Sequence, residues 1–231
     1  MIDNPLILFV AFPLAAYVVG STPFGVIIAR ARGVDLRSKG SGNIGATNVG
    51  RVLGRKWGYL CFVGDVLKGL GPVLAAGVLL RTDGVAHPSI VSQAGWLAVA
   101  FGAIAGHVFS FWVRFRGGKG VATSLGVVVG FYPYFTWVGL TVLGVWIVVV
   151  LTSRYVSLAS IAAAGVFPLV FVGASLIARW PLAELWPLLA FSAAMAGLVI
   201  LHHRANIARL LAGTENKIRF YMLALSKPRE S

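Results

Sequence analysis

Thiols and acids are scarce in this chain. Cys61 is the only cysteine among 231 residues, which excludes an intrachain disulfide and a thiol network. Seven Asp and Glu stand against twenty Lys and Arg. Four of the acids, Asp3, Asp35, Asp65 and Asp83, are too widely spaced for a multi-aspartate signature. Charged residues amount to 12%, half of the roughly 25% usual in soluble domains. Hydrophobic residues reach 58% and mean hydropathy is +0.85. A soluble fold of this length has too few charges to cover that much apolar surface, so lipid is the expected solvent. No basic side chain precedes the first apolar run, and that run is too long for a signal-peptide core. It reads as a retained first helix. Low-complexity linkers and a sustained internal repeat are also missing, which disfavours an inverted-repeat transporter.

What is present is a series of apolar stretches, at 6–29, 57–80, 94–113, 120–131, 134–151, 156–178 and 184–201. A crossing helix needs about 20 residues. The pair 120–131 and 134–151 is interrupted by Tyr132-Pro133-Tyr134, and proline disfavours a continuing helix. A single kinked crossing there is the alternative, but a run of about 30 residues is long for one span. Charge supports seven. With the N-terminus outside, the inner segments hold Arg30, Arg32, Arg37, Lys39, Arg51, Arg55, Lys56, Arg114, Arg116, Lys119, Arg154, Arg204, Arg209, Lys217, Arg219, Lys227 and Arg229. Only Arg81 and Arg179 fall outside, with Lys68 inside a span, as the positive-inside rule requires. The net charge of +13 therefore points to topology and anionic ligands rather than to nucleic acid. The expectation is an all-α, polytopic membrane protein with seven transmembrane helices and a cytoplasmic C-terminus. Residues 1–231 form one membrane-embedded domain in this reading.

Three polar segments interrupt the apolar pattern on that inner side. The first runs from Gly40 to Arg51 and sets Ser41, Asn43, Thr47 and Asn48 among small, flexible residues. Such backbone bends around a phosphate, and Arg51 offers a planar fork to it. An ordinary polar loop is the plain alternative. The second, Arg114 to Gly120, places Gly117, Gly118, Lys119 and Gly120 directly before a span, a glycine-rich anion site at a helix N-terminus. It is not a Walker A loop, because Gly120 rather than Ser or Thr follows Lys119. A topological anchor of three basic residues is its alternative. In the third, helical spacing puts His203, Asn206 and Arg209 on one side, with Glu215 shortly after. His, Asn and Glu do not make a zinc set. Asp65 and Lys68, three apart inside the second span, read as a structural ion pair. His107 reads as a packed polar residue and His202 as an interfacial one.

Ser41 to Asn48, Gly117-Gly118-Lys119-Gly120, and His203-x-x-Asn206-Ile207-x-Arg209 followed by Gly213 to Lys217 closely resemble the three motifs of bacterial acyl-phosphate:glycerol-3-phosphate acyltransferases, the PlsY family. The resemblance covers nearly the whole chain. It implies transfer of a fatty acyl group from acyl phosphate to the 1-hydroxyl of glycerol 3-phosphate, giving lysophosphatidic acid and phosphate, at the start of phospholipid synthesis. It implies no metal and no cofactor. The location implied is the bacterial plasma (inner) membrane with the site facing the cytoplasm, in functional coupling with the enzyme that makes acyl phosphate. Ser41, Lys119, His203 and Asn206 are then expected to be catalytic. Asn43, Thr47, Asn48, Arg51, Gly117, Gly118, Gly120, Arg209 and Glu215 are expected to bind substrate.

A transporter for an anionic metabolite also fits seven spans and a basic site, but it requires polar residues along a path through several spans. A CoA-dependent acyltransferase needs an H-x-x-x-x-D pair, and Trp112 stands where His107 would need an Asp. A bare anchor leaves the three motifs without explanation. Accessibility mapping from both sides of the bilayer is expected to place Ser41, Lys119 and His203 on one face; opposite faces would end this reading.

Overall fold

The computed structural model describes residues 4–80 and 87–218. The extreme N-terminus, most of the expected outer loop from 81, and Arg219, Lys227 and Arg229 of the charge tally lie outside the described residues. Every regular element among the described residues is helical.

A π-helical turn, Ile7–Ala11, leads into α1 (Phe12–Gly20) and α2 (Phe24–Ala31). The α1–α2 break falls at Ser21-Thr22-Pro23, where proline removes a backbone donor. A short amphipathic helix, α3 (Ala46–Leu53), precedes the long α4 (Arg55–Leu79), and α5 (Ile90–Val108) follows. Next come α6 (Val121–Gly130), α7 (Tyr134–Ser153), α8 (Val156–Ile177), α9 (Trp186–His202) and α10 (Arg204–Leu211). Five stretches are long and apolar enough to cross a membrane: Ile7–Ala31, Arg55–Leu79, Ile90–Val113, Tyr134–Ser153 and Val156–Ile177. The pair α9 and α10, bent by 59° at His203, raises the number to six at most.

The expected span at 120–131 differs from its neighbours. Its helix has ten residues and rises about 15 Å, half of a hydrocarbon core of about 30 Å. Most of α6 is buried among other helices rather than facing lipid. It still connects the two ends of the bundle. It starts next to His107 at the end of α5, and it finishes at Phe131, whose ring lies 4.4 Å from that of Trp96 near the start of α5. Beyond it the Tyr134 hydroxyl lies 3.0 Å from His87 Nδ1, ahead of α5.

Small residues set the spacing of this core. A Cβ at Gly126 of α6 would lie 2.0 Å from the Val66 carbonyl oxygen, and one at Gly69 of α4 would lie 2.2 Å from that of Thr123. The two backbones touch, which is how helices associate where lipid gives no hydrophobic drive. The α1–α5 pair is built the same way, with Gly102 against Pro13 and Gly106 against Tyr17. Large rings fill the remaining volume: Phe131, Phe135 and Phe171 are fully buried, and Phe135 meets Phe167 and Phe171 edge-on.

Gly126→Val should separate α4 from α6. Overpacking of this kind costs about 1–3 kcal/mol, read as a drop of several degrees in the thermal midpoint of the detergent-solubilised protein. Gly144→Ala, with nothing within 4 Å of its added methyl, should leave the midpoint unchanged.

Candidate active site

Each of the three polar segments runs into the N-terminus of a short helix at the same end of the bundle. Gly45 caps α3, Gly120 caps α6 and His203 caps α10. Helix N-termini present unpaired N–H groups and the positive end of the helix dipole. Sequence reading identified this for Lys119. It holds for all three segments.

The first segment is organised by Asn48. Its side chain is 1% exposed and points into the loop rather than out of it. Oδ1 accepts from the Ser41 amide at 2.8 Å and from Arg51 at 3.3 Å. Nδ2 donates to the carbonyls of Asn43 and Lys39 at 2.9 and 3.0 Å. Asn43 in turn accepts from the Gly45 amide at 3.2 Å. Both amides expected to face a ligand are thus engaged in shaping the loop. Ser41, Thr47 and Arg51 are exposed.

The second segment folds back onto the end of α5. The Gly117 amide donates to Val108 O at 2.9 Å and the Gly118 amide to His107 O at 3.1 Å. A Cβ on Gly118 would stand 2.3 Å from His107 Nε2, so any side chain there would have to displace a buried, hydrogen-bonded ring. Gly120 has φ +83°, a left-handed conformation that glycine adopts freely. Arg114 and Phe115 take φ of 56° and 57° without that freedom. An Arg37 guanidinium N–H donating to the Arg116 carbonyl ties this turn to the first segment.

The third segment meets the second directly. Lys119 donates to Asn206 Oδ1, and Asn206 Nδ2 donates to Glu215 Oε1 at 2.6 Å. Glu215 also accepts from Arg209 Nε at 2.7 Å and from Ser157 of α8 at 2.9 Å. Burial raises the Glu215 carboxyl, but the donors Asn206, Arg209 and Ser157 outweigh it and hold the group below its usual range. It is an anionic clasp. Burial takes Lys119 down to about 8, with Glu215 opposing and Arg209 adding to the shift. His203 is 3% exposed, and burial brings it down to about 4 against the opposing Val199 carbonyl. That carbonyl, 2.7 Å from Nδ1, requires Nδ1 to carry the proton. The neutral ring therefore keeps a free lone pair on Nε2.

Lys119, His203, Asn206, Arg209 and Glu215 thus form one cluster. Ser41, Thr47 and Arg51 share its end of the bundle but make no hydrogen bond to Lys119 or His203 among the described residues. Sequence reading missed Ser157, because a lone serine in an apolar helix carries no signal. It also left His107 and the Asp65–Lys68 pair apart. Lys68 and Asp65 lie 2.9 Å from each other, and Lys68 also donates to Thr22 O at 2.6 Å. His107 Nδ1 lies 3.0 Å from Thr123 Oγ1 and 3.6 Å from Asp65 Oδ1. One buried network therefore underlies the Gly117–Gly120 turn. No group of three His, Cys, Asp or Glu side chains suited to a metal occurs among the described residues.

Next to the Lys119–His203 cluster lies an apolar pocket of about 120 Å³, lined by α6, α7, α8, α9 and Phe62 of α4. Val121 and Val199 are its lining residues nearest in sequence to Lys119 and His203; Val128, Phe167 and Met195 add to its apolar wall.

Comparison with known proteins agrees with this arrangement. A family profile described as glycerol-3-phosphate acyltransferase matches residues 10–213. A glycerol-3-phosphate acyltransferase of Geobacter sulfurreducens is 48% identical over 207 residues, covering 88% of this chain and 94% of the relative. One of Thermosynechococcus vestitus is 42% identical over 211 residues, covering 89% and 92%. The fold resembles the crystal structure of PlsY (YgiH), an integral membrane glycerol 3-phosphate acyltransferase, in its glycerol 3-phosphate form. The TM-score is 0.77 at 39% identity, over 90% of this chain and 94% of that one. The lysophosphatidic acid form gives 0.74 at 38%, over the same shares. This chain is a multi-spanning integral membrane protein and belongs to the glycerol-3-phosphate acyltransferase family.

Proposed function

We propose that this enzyme takes its acyl group from acyl phosphate and transfers it to the 1-hydroxyl of glycerol 3-phosphate. The supporting observation is that a cationic cluster adjoins an apolar pocket through shared neighbours. Val121 follows Lys119 by two residues, and Val199 both lines the cavity and holds His203. A donor with a phosphate head and a fatty tail fits such a junction, as does the lysophosphatidic acid product.

The reaction needs little covalent help, because acyl phosphate carries its own leaving group. The hydroxyl oxygen bonds to the acyl carbon, the bond from that carbon to the phosphate oxygen breaks, and the hydroxyl proton leaves with phosphate. The protein's work is positioning and charge stabilisation. Lys119 and Arg51 hold phosphate oxygens, with Ser41, Thr47 and the N–H groups at the starts of α3 and α6 completing the two anion sites. His203 Nε2 accepts from the attacking hydroxyl. Asn206 orients it from the opposite side or supports the oxyanion. Glu215 and Arg209 hold Asn206 in place, and Asn43 and Asn48 hold the first loop in shape.

The chain in this reading crosses the membrane seven times, with the N-terminus outside, the C-terminus in the cytoplasm and the site facing the cytoplasm of the bacterial inner membrane. The continuity of α6 from His107 to the Tyr134–His87 contact supports a fourth, shortened crossing. The enzyme that makes acyl phosphate is the natural supplier. Neither cofactor nor metal takes part.

Purified protein mixed with acyl phosphate and glycerol 3-phosphate should release inorganic phosphate, and acyl-CoA should not replace the donor. Uptake of glycerol 3-phosphate into vesicles without chemistry would favour a transporter, and a trapped acyl-Ser41 would replace direct transfer with a covalent route. Lys119→Ala should lower turnover at least ~10²-fold, the scale of losing one charge-stabilising donor. Because the Lys119 ammonium is present below its pKa of about 8 and lost above it, kcat/KM should fall as pH rises through that value. Lys119→Arg should move this limb to higher pH if the variant turns over.

A further inference from the structure

Ser124 sits one helical turn into α6, on the side facing the apolar cavity. It is 6% exposed, and its hydroxyl is one of three buried side-chain polar groups with no hydrogen-bond partner among the described residues. A serine at this position usually has the carbonyl four residues back as an acceptor. The Gly120 carbonyl takes the Ser124 amide, and Oγ pairs neither with that carbonyl nor with any other described group. The contrast is Ser160 in the same lining, which donates to Val156 O at 2.9 Å and accepts from the Trp146 indole at 3.2 Å. A buried hydroxyl left unpaired destabilises by about 1–3 kcal/mol, so this one is held for a polar atom that enters with a ligand.

Its place identifies the atom. Oγ lies 3.9 Å from where a Cβ would stand on Gly120, next to Lys119. Lys119 stands just ahead of α6, Ser124 one turn into it and Val128 one turn further, so the order along the helix is cation, hydroxyl, hydrocarbon wall. An acyl phosphate entering headfirst towards Lys119 has the order phosphate, carbonyl, acyl chain. We propose that Ser124 Oγ donates a hydrogen bond to the carbonyl oxygen of the acyl donor and strengthens that bond as the oxygen becomes an oxyanion. Ser124 is in that case a catalytic residue for acyl transfer, outside all three motifs. The assignment rests on acyl phosphate being the donor. During attack the carbonyl π-electrons move onto the oxygen that Ser124 holds. They return to expel phosphate, and the serine neither gains nor loses a proton.

The test compares wild type with Ser124→Ala and Ser124→Cys, all full-length in detergent. Both variants should lose on the order of 10²-fold in kcat, with KM for glycerol 3-phosphate changed less than twofold. The alanine variant without ligand should melt no lower than wild type, because it loses an unpaired group. Unchanged kcat in Ser124→Ala would overturn the assignment. So would a lower melting temperature of that ligand-free variant, which means the hydroxyl has a structural partner. A wild type inactive with acyl phosphate would instead overturn the donor assignment. A non-reactive acyl phosphonate then decides the role of Ser124 separately: it should raise the melting temperature of wild type more than that of Ser124→Ala, and equal protection refutes the contact.

Discussion

A carboxylate buried in a membrane bundle is the constraint around which the rest is arranged. Asp65 is 3% exposed in the middle of an apolar helix, where an unpaired charge is very costly. Its compensation comes from three directions. Lys68 pairs with it and reaches on to the α1–α2 break, His107 approaches from α5, and Cys61 donates weakly at 3.7 Å. Thr123 adds α6 through His107. Satisfying one charge therefore requires four elements to meet at fixed distances. That meeting point lies under the Gly117–Gly120 turn, so it also sets the height from which Lys119 reaches Asn206.

The second tier of organisation separates head from tail. Polar groups of the cluster hold each other in a chain from Lys119 through Asn206 to Glu215, with Ser157 and Arg209 fixing its far end. The space beyond is bounded by hydrocarbon, rings and two hydroxyls, one satisfied and one free. In the proposed reaction an amphiphilic donor is sorted by this boundary before any bond changes. The neutral His203 and the partly dehydrated Lys119 follow from the same exclusion of water.

Most of this was legible in the chain itself where the signal is compositional or local. Span positions follow from runs of apolar residues, and the motif ends follow from glycine, lysine and histidine placed where a span starts or stops. The Asp65–Lys68 pair was readable because i and i+3 are neighbours on a helix. What escaped depends on distant residues meeting. Asn48 looks like a ligand group in sequence and proves to be the internal brace of its loop, because its carbonyl partners come from a turn nine residues back. Ser157 and Ser124 are single hydroxyls in apolar helices, and only the partner of one and the lack of a partner for the other distinguish them. The bounds of α6 were legible to within a residue at each end, but apolar composition does not reveal that neighbouring helices, rather than lipid, surround most of it.

That short helix has a consequence for where chemistry takes place. α6 meets α4 with Thr123 against Gly69, and Gly118 rests on His107 at the level of Asp65. Asp65 is ten residues into α4 from Arg55, about 15 Å along its axis. The lysine turn thus packs against α5 level with a point about ten residues into α4, not beside its first turn. In the proposed reaction, a donor whose tail occupies the apolar pocket reaches the lysine turn while that tail stays among α6, α7, α8 and α9. The height of that turn is then set by how helices pack on one another, with small residues and a buried ion pair fixing where head and tail divide.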